Sequence, residues 1–352
     1  MFDPCALWFE FTDDEGTERS FYCEGFVRVS GLGRRLDAVA DGLCSRGKSK
    51  FSPAPVLWTS SIPVSVCVPA VHMSDLWVSV TVLGAVVALS ELTRRTAALL
   101  PPGPGPGPGP GASSWLYLLE AASTFQLCGC TQELKLLGDT ARLGPCAGLA
   151  LTYTMTVVHI STFRGASCNP CGVLERMCRR SGGAGPALLL CACQFAAAVA
   201  AQYFARFVWS LGLSDVHLRH RRFGYRCFDP LGGTVPEAAA VELACAFTVQ
   251  AAVMHVHKLD QRLRVHVIAA VITGLVYTGG AVSGAVFNPV LAFSIQFPCS
   301  GHTYLEYCFV YWLGPLLGMA SCILLFEKII PFLSGKSTIG PDVHAVHKQK
   351  TH

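Results

Sequence analysis

The chain has 352 residues, of which 51% are hydrophobic and only 14% are charged, and its formal net charge is +4. Soluble domains carry about 25% charged residues, so this composition excludes an ordinary soluble domain and indicates a protein embedded in a lipid bilayer. The small net charge gives no sign of a nucleic-acid partner.

The N-terminal part of the chain divides into three regions. Residues 1–72 are mixed in composition and interrupted by prolines, and we expect a poorly structured extension. Residues 73–95 are predicted to form an additional apolar helix of marginal length for crossing a bilayer. Its closing pair, Arg94 and Arg95, favours a cytoplasmic position for the next residues of the chain. Residues 96–113 contain the run PPGPGPGPGPG, which is typical of a linker and marks a domain boundary.

The remainder of the chain is a hydrophobic domain, residues 114–333, followed by a polar tail, residues 334–352. Six segments of the domain are predicted to be transmembrane helices, because each holds roughly 20 mostly apolar residues. These segments lie near 114–137, 146–163, 186–211, 237–256, 265–282 and 305–332. The fold class predicted is therefore an all-α membrane protein, with the tail in the cytosol.

One pattern, Gly-Ala-x-x-Asn-Pro, occurs twice within this domain. The first copy ends in Asn169-Pro170 and the second in Asn288-Pro289. An Asn-Pro pair in a hydrophobic segment is unfavourable unless its freed backbone groups face protein or a water-filled cavity. A repeat of this kind in a membrane protein predicts two halves built around one site.

A glutamate precedes each Asn-Pro pair at a similar distance. Glu120 stands 49 residues before Asn169, and Glu242 stands 46 residues before Asn288. An ionisable group inside a spanning helix is by default a candidate for a functional role. Each half holds three of the six segments, and this odd number predicts that the second half is inverted relative to the first.

Each Asn-Pro pair is predicted to begin a short helix, because Asn is a preferred N-cap and Pro fits the first helical position. About ten residues of helix span about 15 Å, or half of a ~30 Å hydrocarbon core. Two such half-helices would enter from opposite faces and meet at the midplane. Each N-terminus carries roughly +0.5 charge, so together they would repel cations while the Asn amides donate to water or a polyol.

This arrangement resembles that of the aquaporin family, the major intrinsic proteins, over about residues 73–333. In that family each half-helix begins with Asn-Pro-Ala, and a glutamate in the first helix of each half braces the adjoining loop. The resemblance implies this bracing role for Glu120 and Glu242. It points to an unorthodox branch of the family, since neither motif ends in Ala. The matching residues are Asn169, Pro170, Cys171, Asn288, Pro289 and Val290.

The residues at the family's narrow selectivity filter differ from the usual pattern. The family usually has an arginine three residues past the second Asn, and this position is Leu291 here. By the family's spacing, the other three filter positions are Leu149, Val276 and Ala285. All four are apolar, so we expect a constriction less suited to strict water conduction and more tolerant of glycerol or hydrogen peroxide.

The resemblance thus implies a membrane channel rather than an enzyme. It implies six transmembrane helices, two half-helices and passive transport of water, glycerol and hydrogen peroxide between them. The family's known assembly further implies a homotetramer in which each protomer holds its own pore. The implied location is the endoplasmic reticulum or another intracellular membrane, with the plasma membrane as a second site. No cofactor and no metal are expected.

Two other functions are compatible with the sequence. The Cys168-x-x-Cys171 spacing is that of a redox-active dithiol or of part of a metal site, although a zinc site needs four ligands and the chain has no second such pair. A scaffold protein with a blocked pore also fits, because the expected lining is apolar and Phe287 is bulky. Most of the seventeen cysteines are expected to be packing residues. Cys227, in a polar loop, leaves pairing or redox chemistry open.

Loop charges predict the orientation of the chain only in part. Basic residues come after Asn169 and after the fourth segment, which places those loops in the cytoplasm if the tail lies there. The loop between the third and fourth segments is also basic, yet the inverted repeat places it on the opposite face. We give the repeat precedence over the charge rule. The arginines of this loop are Arg219, Arg221, Arg222 and Arg226.

Overall fold

The structure of the protein is a computed structural model. It describes residues 6–12, 18–24, 73–99, 110–141, 143–180 and 184–334. Most of the expected N-terminal extension, the middle of the expected linker and the tail beyond residue 334 lie outside the described residues. The chain divides into two units, Met1–Val66 and Cys67–His352.

The first unit contains an antiparallel β-hairpin formed by β1 (Ala6–Thr12) and β2 (Glu18–Glu24). Phe9 pairs with Phe21 in the register of the two strands, and aromatic residues of this kind favour strands. The sequence predicted no regular structure in this region because of its prolines. Most of those prolines lie from Pro53 onwards, well after the hairpin, so they do not oppose its formation.

The second unit is helical throughout its described part, which confirms the predicted all-α fold. The helices are α1 (Met73–Ala98), α2 (Pro110–Ala141), α3 (Pro145–Thr162), α4 (Pro170–Arg180), α5 (Ala184–Ser210), α6 (Asp215–Arg222), α7 (Val235–His255), α8 (Gln261–Ser283), α9 (Pro289–Ile295), α10 (Tyr304–Cys308), α11 (Gly314–Leu324) and α12 (Ile330–Leu333). A 3₁₀ turn, Val256–Lys258, comes after α7. Two π-helical segments, Phe309–Leu313 and Leu325–Ile329, join α10, α11 and α12 into one long helix.

Within the described residues, five helices are long and apolar enough to cross a membrane. They are Ser74–Ala98, Ala184–Ser210, Val235–Lys258, Gln261–Ser283 and Tyr304–Leu333. The first of these is α1, and its 26 residues exceed the marginal length expected from the sequence. The predicted segments 114–137 and 146–163 are the helices α2 and α3. Neither is among these five helices: α2 contains Glu120 and Glu133, and α3 has only 18 residues, four of which are threonines.

The helices pack as two related halves. In the first half α2 packs along α5, and in the second α7 packs along α11. Glycines allow the second pair to approach closely, since a Cβ at Gly314 would lie only 3.0 Å from the Ala239 carbonyl oxygen. The halves meet where α3 packs against α8 and where α4 contacts α9. The two halves thus share one packing pattern, as the two Asn-Pro pairs predicted.

The end of α1 and the start of α2 differ from the boundaries expected from the sequence. Helix α1 runs to Ala98 and lies along α2, so it is part of the same helical unit. Helix α2 begins at Pro110, inside the expected linker 96–113. Proline is well placed in the first turn of a helix, because that turn has no intrahelical partner for its backbone nitrogen.

Candidate functional site

The two Asn-Pro pairs end two short loops with the same backbone course. We call residues 163–169 the first loop and residues 284–288 the second loop. Gly165 has φ 87° and Gly284 has φ 83°, and each stands four residues before its Asn. Cys168 at φ 50° and Phe287 at φ 37° stand directly before the two Asn residues. A left-handed conformation costs a non-glycine residue about 1–2 kcal/mol, so each loop needs external support.

Glu120 of α2 supports the first loop. Its carboxylate accepts hydrogen bonds from the backbone N–H of Ser167 at 3.1 Å and of Cys168 at 2.5 Å. Gln194 of α5 donates its side-chain amide to the same carboxylate at 2.7 Å, and Arg176 of α4 lies 3.9 Å away. The strained residue Cys168 is therefore held directly by a buried, fully partnered carboxylate.

Glu242 of α7 supports the second loop at the equivalent positions. It accepts from the backbone N–H of Val286 at 3.0 Å and of Phe287 at 2.5 Å. The Ser283 hydroxyl donates to it at 2.6 Å, and the Glu242 side chain has no solvent exposure. In both halves the glutamate thus binds the two residues that immediately precede Asn.

Both asparagines cap the helices that they begin. The Asn169 side-chain oxygen accepts from the Cys171 N–H at 2.9 Å. The Asn288 side-chain oxygen accepts from Val290 N–H at 3.2 Å and from Leu291 N–H at 3.4 Å. Pro170 and Pro289 occupy the first positions of α4 and α9, as the sequence predicted. The two helices have 11 and 7 residues, against the ten expected of each.

The two asparagines also tie the loops to each other. Asn288 donates its side-chain amide to the Cys168 carbonyl at 2.8 Å, and Asn169 donates to the Phe287 carbonyl at 3.5 Å. The N-termini of α4 and α9 therefore meet, and the asparagines lie together inside the protein. Each Asn amide has two N–H donors, so one donor of each remains after these bonds.

The four expected filter residues lie on separate elements. Leu149 is on α3 and Val276 on α8, both half-buried, and these helices pack against each other. Ala285 is buried in the second loop. Leu291 in α9 packs against two apolar clusters, one around Tyr311 and one that contains the buried Val290. A common constriction formed by these four residues stays a prediction.

The cysteines of the first motif are both free thiols. Cys168 and Cys171 are buried, at 1% and 5% exposure. Among the described residues no group of three or more His, Cys, Asp or Glu side chains could hold a metal ion. Cys227 is different, because it forms a disulfide with Cys299 that joins the loop before α7 to the loop after α9. Sequence reasoning left this pairing open.

Two buried polar residues were missed by the sequence reasoning, one at the site and one outside it. Gln194 is one, and it could have been found as the polar residue in an otherwise apolar stretch of α5. Glu133 of α2 is another: it accepts from Trp209 at 2.8 Å and from Ser79 at 2.6 Å, and it lies 3.0 Å from the His217 ring. Its charge within a spanning segment was the available signal.

Two charged residues of α4, Glu175 and Arg179, also have clear partners. Glu175 accepts from Arg179 at 2.8 Å and from Gln250 of α7 at 2.9 Å. Arg179 also pairs with Glu327 in the last long helix. These contacts link the end of α4 to the second half.

Comparisons with known proteins agree with this architecture. The chain is 41% identical to aquaporin-11 of Equus caballus over 226 residues, which cover 63% of this chain and 81% of the relative. It is 40% identical to aquaporin-11 of Homo sapiens over 63% and 82% of the two chains. Putative aquaporin-12A of Homo sapiens is 35% identical over 262 residues, 74% of this chain and 83% of the relative.

A solved X-ray structure of the aquaglyceroporin from Plasmodium falciparum aligns with a TM-score of 0.44 and 13% identity, over 62% of this chain and 99% of that chain. No family model matches the chain.

The helical fold and the named relatives together define the class of protein: an integral membrane channel for water or small solutes. More specifically, the chain belongs to the aquaporin family and is close to aquaporin-11. Its relatives are channels rather than enzymes.

Proposed function

We propose that water, glycerol and hydrogen peroxide pass through the protein between its two Asn-Pro half-helices. The observation that supports this most is the pair of bonds from Asn169 and Asn288 to the opposite loops. The bonds bring two helix N-termini together and leave one amide N–H on each Asn for a solute oxygen. Two positive helix ends disfavour a cation at this point, whereas a neutral solute keeps its hydrogen bonds.

The apolar filter residues support tolerance of solutes larger than water. An arginine at the filter supplies donors that replace part of water's hydration, and Leu291 supplies none. We therefore propose that Leu149, Val276, Ala285 and Leu291 form a permissive constriction. Glycerol has a carbon backbone that can lie against such a lining while its hydroxyl groups meet the asparagines.

The flux of each solute through reconstituted vesicles tests the proposal. The full chain is placed in liposomes, and stopped-flow light scattering measures water and glycerol, while an enclosed dye reports peroxide. We expect all three fluxes to exceed those of empty liposomes. Leu291→Arg is expected to reduce glycerol flux more than water flux, and Leu291→Ile serves as the apolar control.

Two results would count against this proposal. Water flux without glycerol or peroxide flux would exclude the permissive filter. No flux of any solute would favour the scaffold with a blocked pore. The dithiol alternative is tested by Cys171→Ala, because a channel keeps flux in this variant whereas a dithiol enzyme loses its activity.

We also propose that the disulfide loops face the endoplasmic reticulum lumen and that the protein is a homotetramer of that membrane. The Cys227–Cys299 disulfide supports the first point, because disulfides persist in oxidising compartments. Basic residues at the opposite ends of the helices, such as Arg164, Arg179 and Lys258, support a cytoplasmic position for those ends, although the arginines within residues 219–226 lie on the disulfide side. Family resemblance supports the tetramer, and light scattering of the solubilised protein measures its mass.

Two exposed free thiols at opposite ends of the helices test the orientation. Cys146 begins α3 on the side of the disulfide loops, and Cys178 lies near the end of α4 on the other side. An impermeant maleimide added to intact microsomes is expected to label Cys178, and to label Cys146 only after permeabilisation. Peptide mass mapping identifies the labelled cysteine, and the reverse pattern would overturn the orientation.

A further inference from the structure

The extra helix α1 contains an arginine that is almost completely buried. Arg94 is 1% exposed. It donates to Glu91 at 3.1 Å, to the Ser123 hydroxyl at 3.3 Å and to the Gln126 side-chain oxygen at 2.7 Å. A buried charge within an apolar helix is tolerated when it is paired and hydrogen-bonded. These partners fix α1 against α2 at the level of the first loop, because Ser123 is one turn from Glu120.

Two sets of contacts continue from this arginine to the first loop. Gln126 donates its amide to the Thr162 hydroxyl at 3.0 Å, and Thr162 is the last residue of α3. Glu91 accepts directly from the guanidinium of Arg164, the second residue of the loop. Arg164 has φ 51°, so it is one of the strained residues that the loop must hold in place. Helix α1 thus contacts the start of the loop directly through Glu91, and it reaches the helix end before the loop only through Gln126 of α2.

The second loop is held by a different arrangement. Its helix, α8, has 23 residues, whereas α3 has only 18. The end of α8 is fixed from within the second half, where the Tyr311 hydroxyl donates to the Ser283 carbonyl at 2.6 Å. In the first half the contacts to this region come instead from two helices, because Gln126 of α2 binds Thr162 at the end of α3 and Glu91 of α1 binds Arg164.

We infer that Glu91 and Arg94 are positioning residues for the first loop, so that α1 acts as a structural part of the permeation site. This inference rests on the proposed function, because it assigns α1 to the placement of Asn169. Glu120 holds the end of the loop next to Asn169, while Glu91 holds its beginning through Arg164. Both ends of the first loop are then fixed by carboxylates from neighbouring helices.

Arg95 provides a matched control for Arg164. Both arginines bind the same oxygen of Glu91, but the Arg95 side chain is 72% exposed against 41% for Arg164, and Arg95 belongs to α1 itself whereas Arg164 belongs to the loop. Helix α1 is also docked at its other end, where Ser79 donates to Glu133 at 2.6 Å and Asp75 accepts from the Asp215 N–H at 3.0 Å. Loss of one arginine on Glu91 therefore leaves α1 in place.

The test compares Arg164→Gln, Arg164→Lys and Arg95→Gln in the full chain. Glycerol flux through liposomes is expected to fall at least about fivefold in Arg164→Gln. Arg164→Lys, which keeps the charge, is expected to retain most of the flux. Arg95→Gln is expected to behave as the unmodified chain, since exposed ion pairs contribute little. Equal flux in the two Gln variants would overturn the inference.

A second measurement separates this inference from the proposed function. Hydrogen exchange at the amides of residues 165–168 is expected to be at least about fivefold faster in Arg164→Gln than in Arg95→Gln. If exchange responds in this way but the unmodified chain carries no flux, the positioning role stands and the proposed function fails. If exchange is the same in both variants, the positioning role fails, whatever the flux.

Discussion

The two half-helices share their first residues but differ along the rest of their length. Helix α4 has 11 residues and ends in charged side chains, and helix α9 has 7 and is apolar apart from Ser294. Both begin with a capping Asn followed by Pro, and both are preceded by a loop held by a buried glutamate. The comparison shows that the structural features common to both halves, namely the capping Asn, the Pro and the loop held by a glutamate, all lie at the helix N-termini.

The far ends of the half-helices meet different requirements. At the end of α9, Gln202 donates to the carbonyls of Phe293 and Ser294 at 3.1 and 3.0 Å. Gln132 of α2 donates to the Ser294 hydroxyl at 2.8 Å. Carbonyls at a helix end need partners, and side chains supply them where water is excluded. Helix α4 instead ends in ion pairs that include the partly exposed Arg179.

Removal of either bracing glutamate is the strongest way to test the equivalence of the halves. Glu120→Ala and Glu242→Ala each leave buried donors without an acceptor, and we expect each to destabilise the protein by on the order of 3 kcal/mol. Flux is expected to be abolished in both, because the strained loops lose their support. Thermal unfolding in detergent and vesicle flux measure the two effects.

Asp139→Ala is the control for these variants. The Asp139 side chain is 68% exposed and pairs with Lys135 at 3.6 Å, so we expect its loss to lower the free energy of unfolding by less than about 1 kcal/mol. If only one of the two glutamate variants lost flux, the halves would not be functional equivalents, and the paired geometry would reflect the fold alone.

Alanine substitution of the two asparagines is expected to lower the free energy of unfolding by different amounts. Asn288→Ala removes a cap with two contacts and a cross-loop bond of 2.8 Å, whereas Asn169→Ala removes one capping contact and a longer bond of 3.5 Å. We expect the free energy of unfolding to fall by about 2 kcal/mol in Asn288→Ala and by about 1 kcal/mol in Asn169→Ala. Unfolding curves of the two variants give this difference directly, and an equal or reversed order would contradict it.

Much of this architecture could be predicted because it depends on local chemistry. The caps at Asn169 and Asn288 result from the Asn-Pro sequence itself, and the similar intervals to Glu120 and Glu242 indicated a repeated half. The cross-loop bonds could not be predicted, because they depend on how the halves meet. The same is true of the pairing between Cys227 and Cys299, which are 72 residues apart.

The role of α1 was harder to predict for a different reason. A run of apolar residues indicates a helix but does not say which helix it will pack against. Arg94 was interpreted as a topological signal at the end of that run, whereas the structure buries it against Gln126. A single charged residue next to an apolar stretch is compatible with both environments, and only the packed structure distinguishes them.

The smallest effect is expected at the charged end of α4, where the halves differ most. Glu327→Gln removes one partner of Arg179 but leaves the pair with Glu175, so we expect a loss of about 0–1 kcal/mol and nearly unchanged flux. The loss should diminish at high salt, because exposed charges are screened. Lys328→Gln, at the adjacent position, changes the net charge by one in the opposite direction without removing the Arg179 contact, and unfolding at low and high salt measures both variants. A loss as large as that of the glutamate variants of α2 and α7 would mean that the second half holds α4 through its far end, and the helix N-termini would not then be the shared requirement.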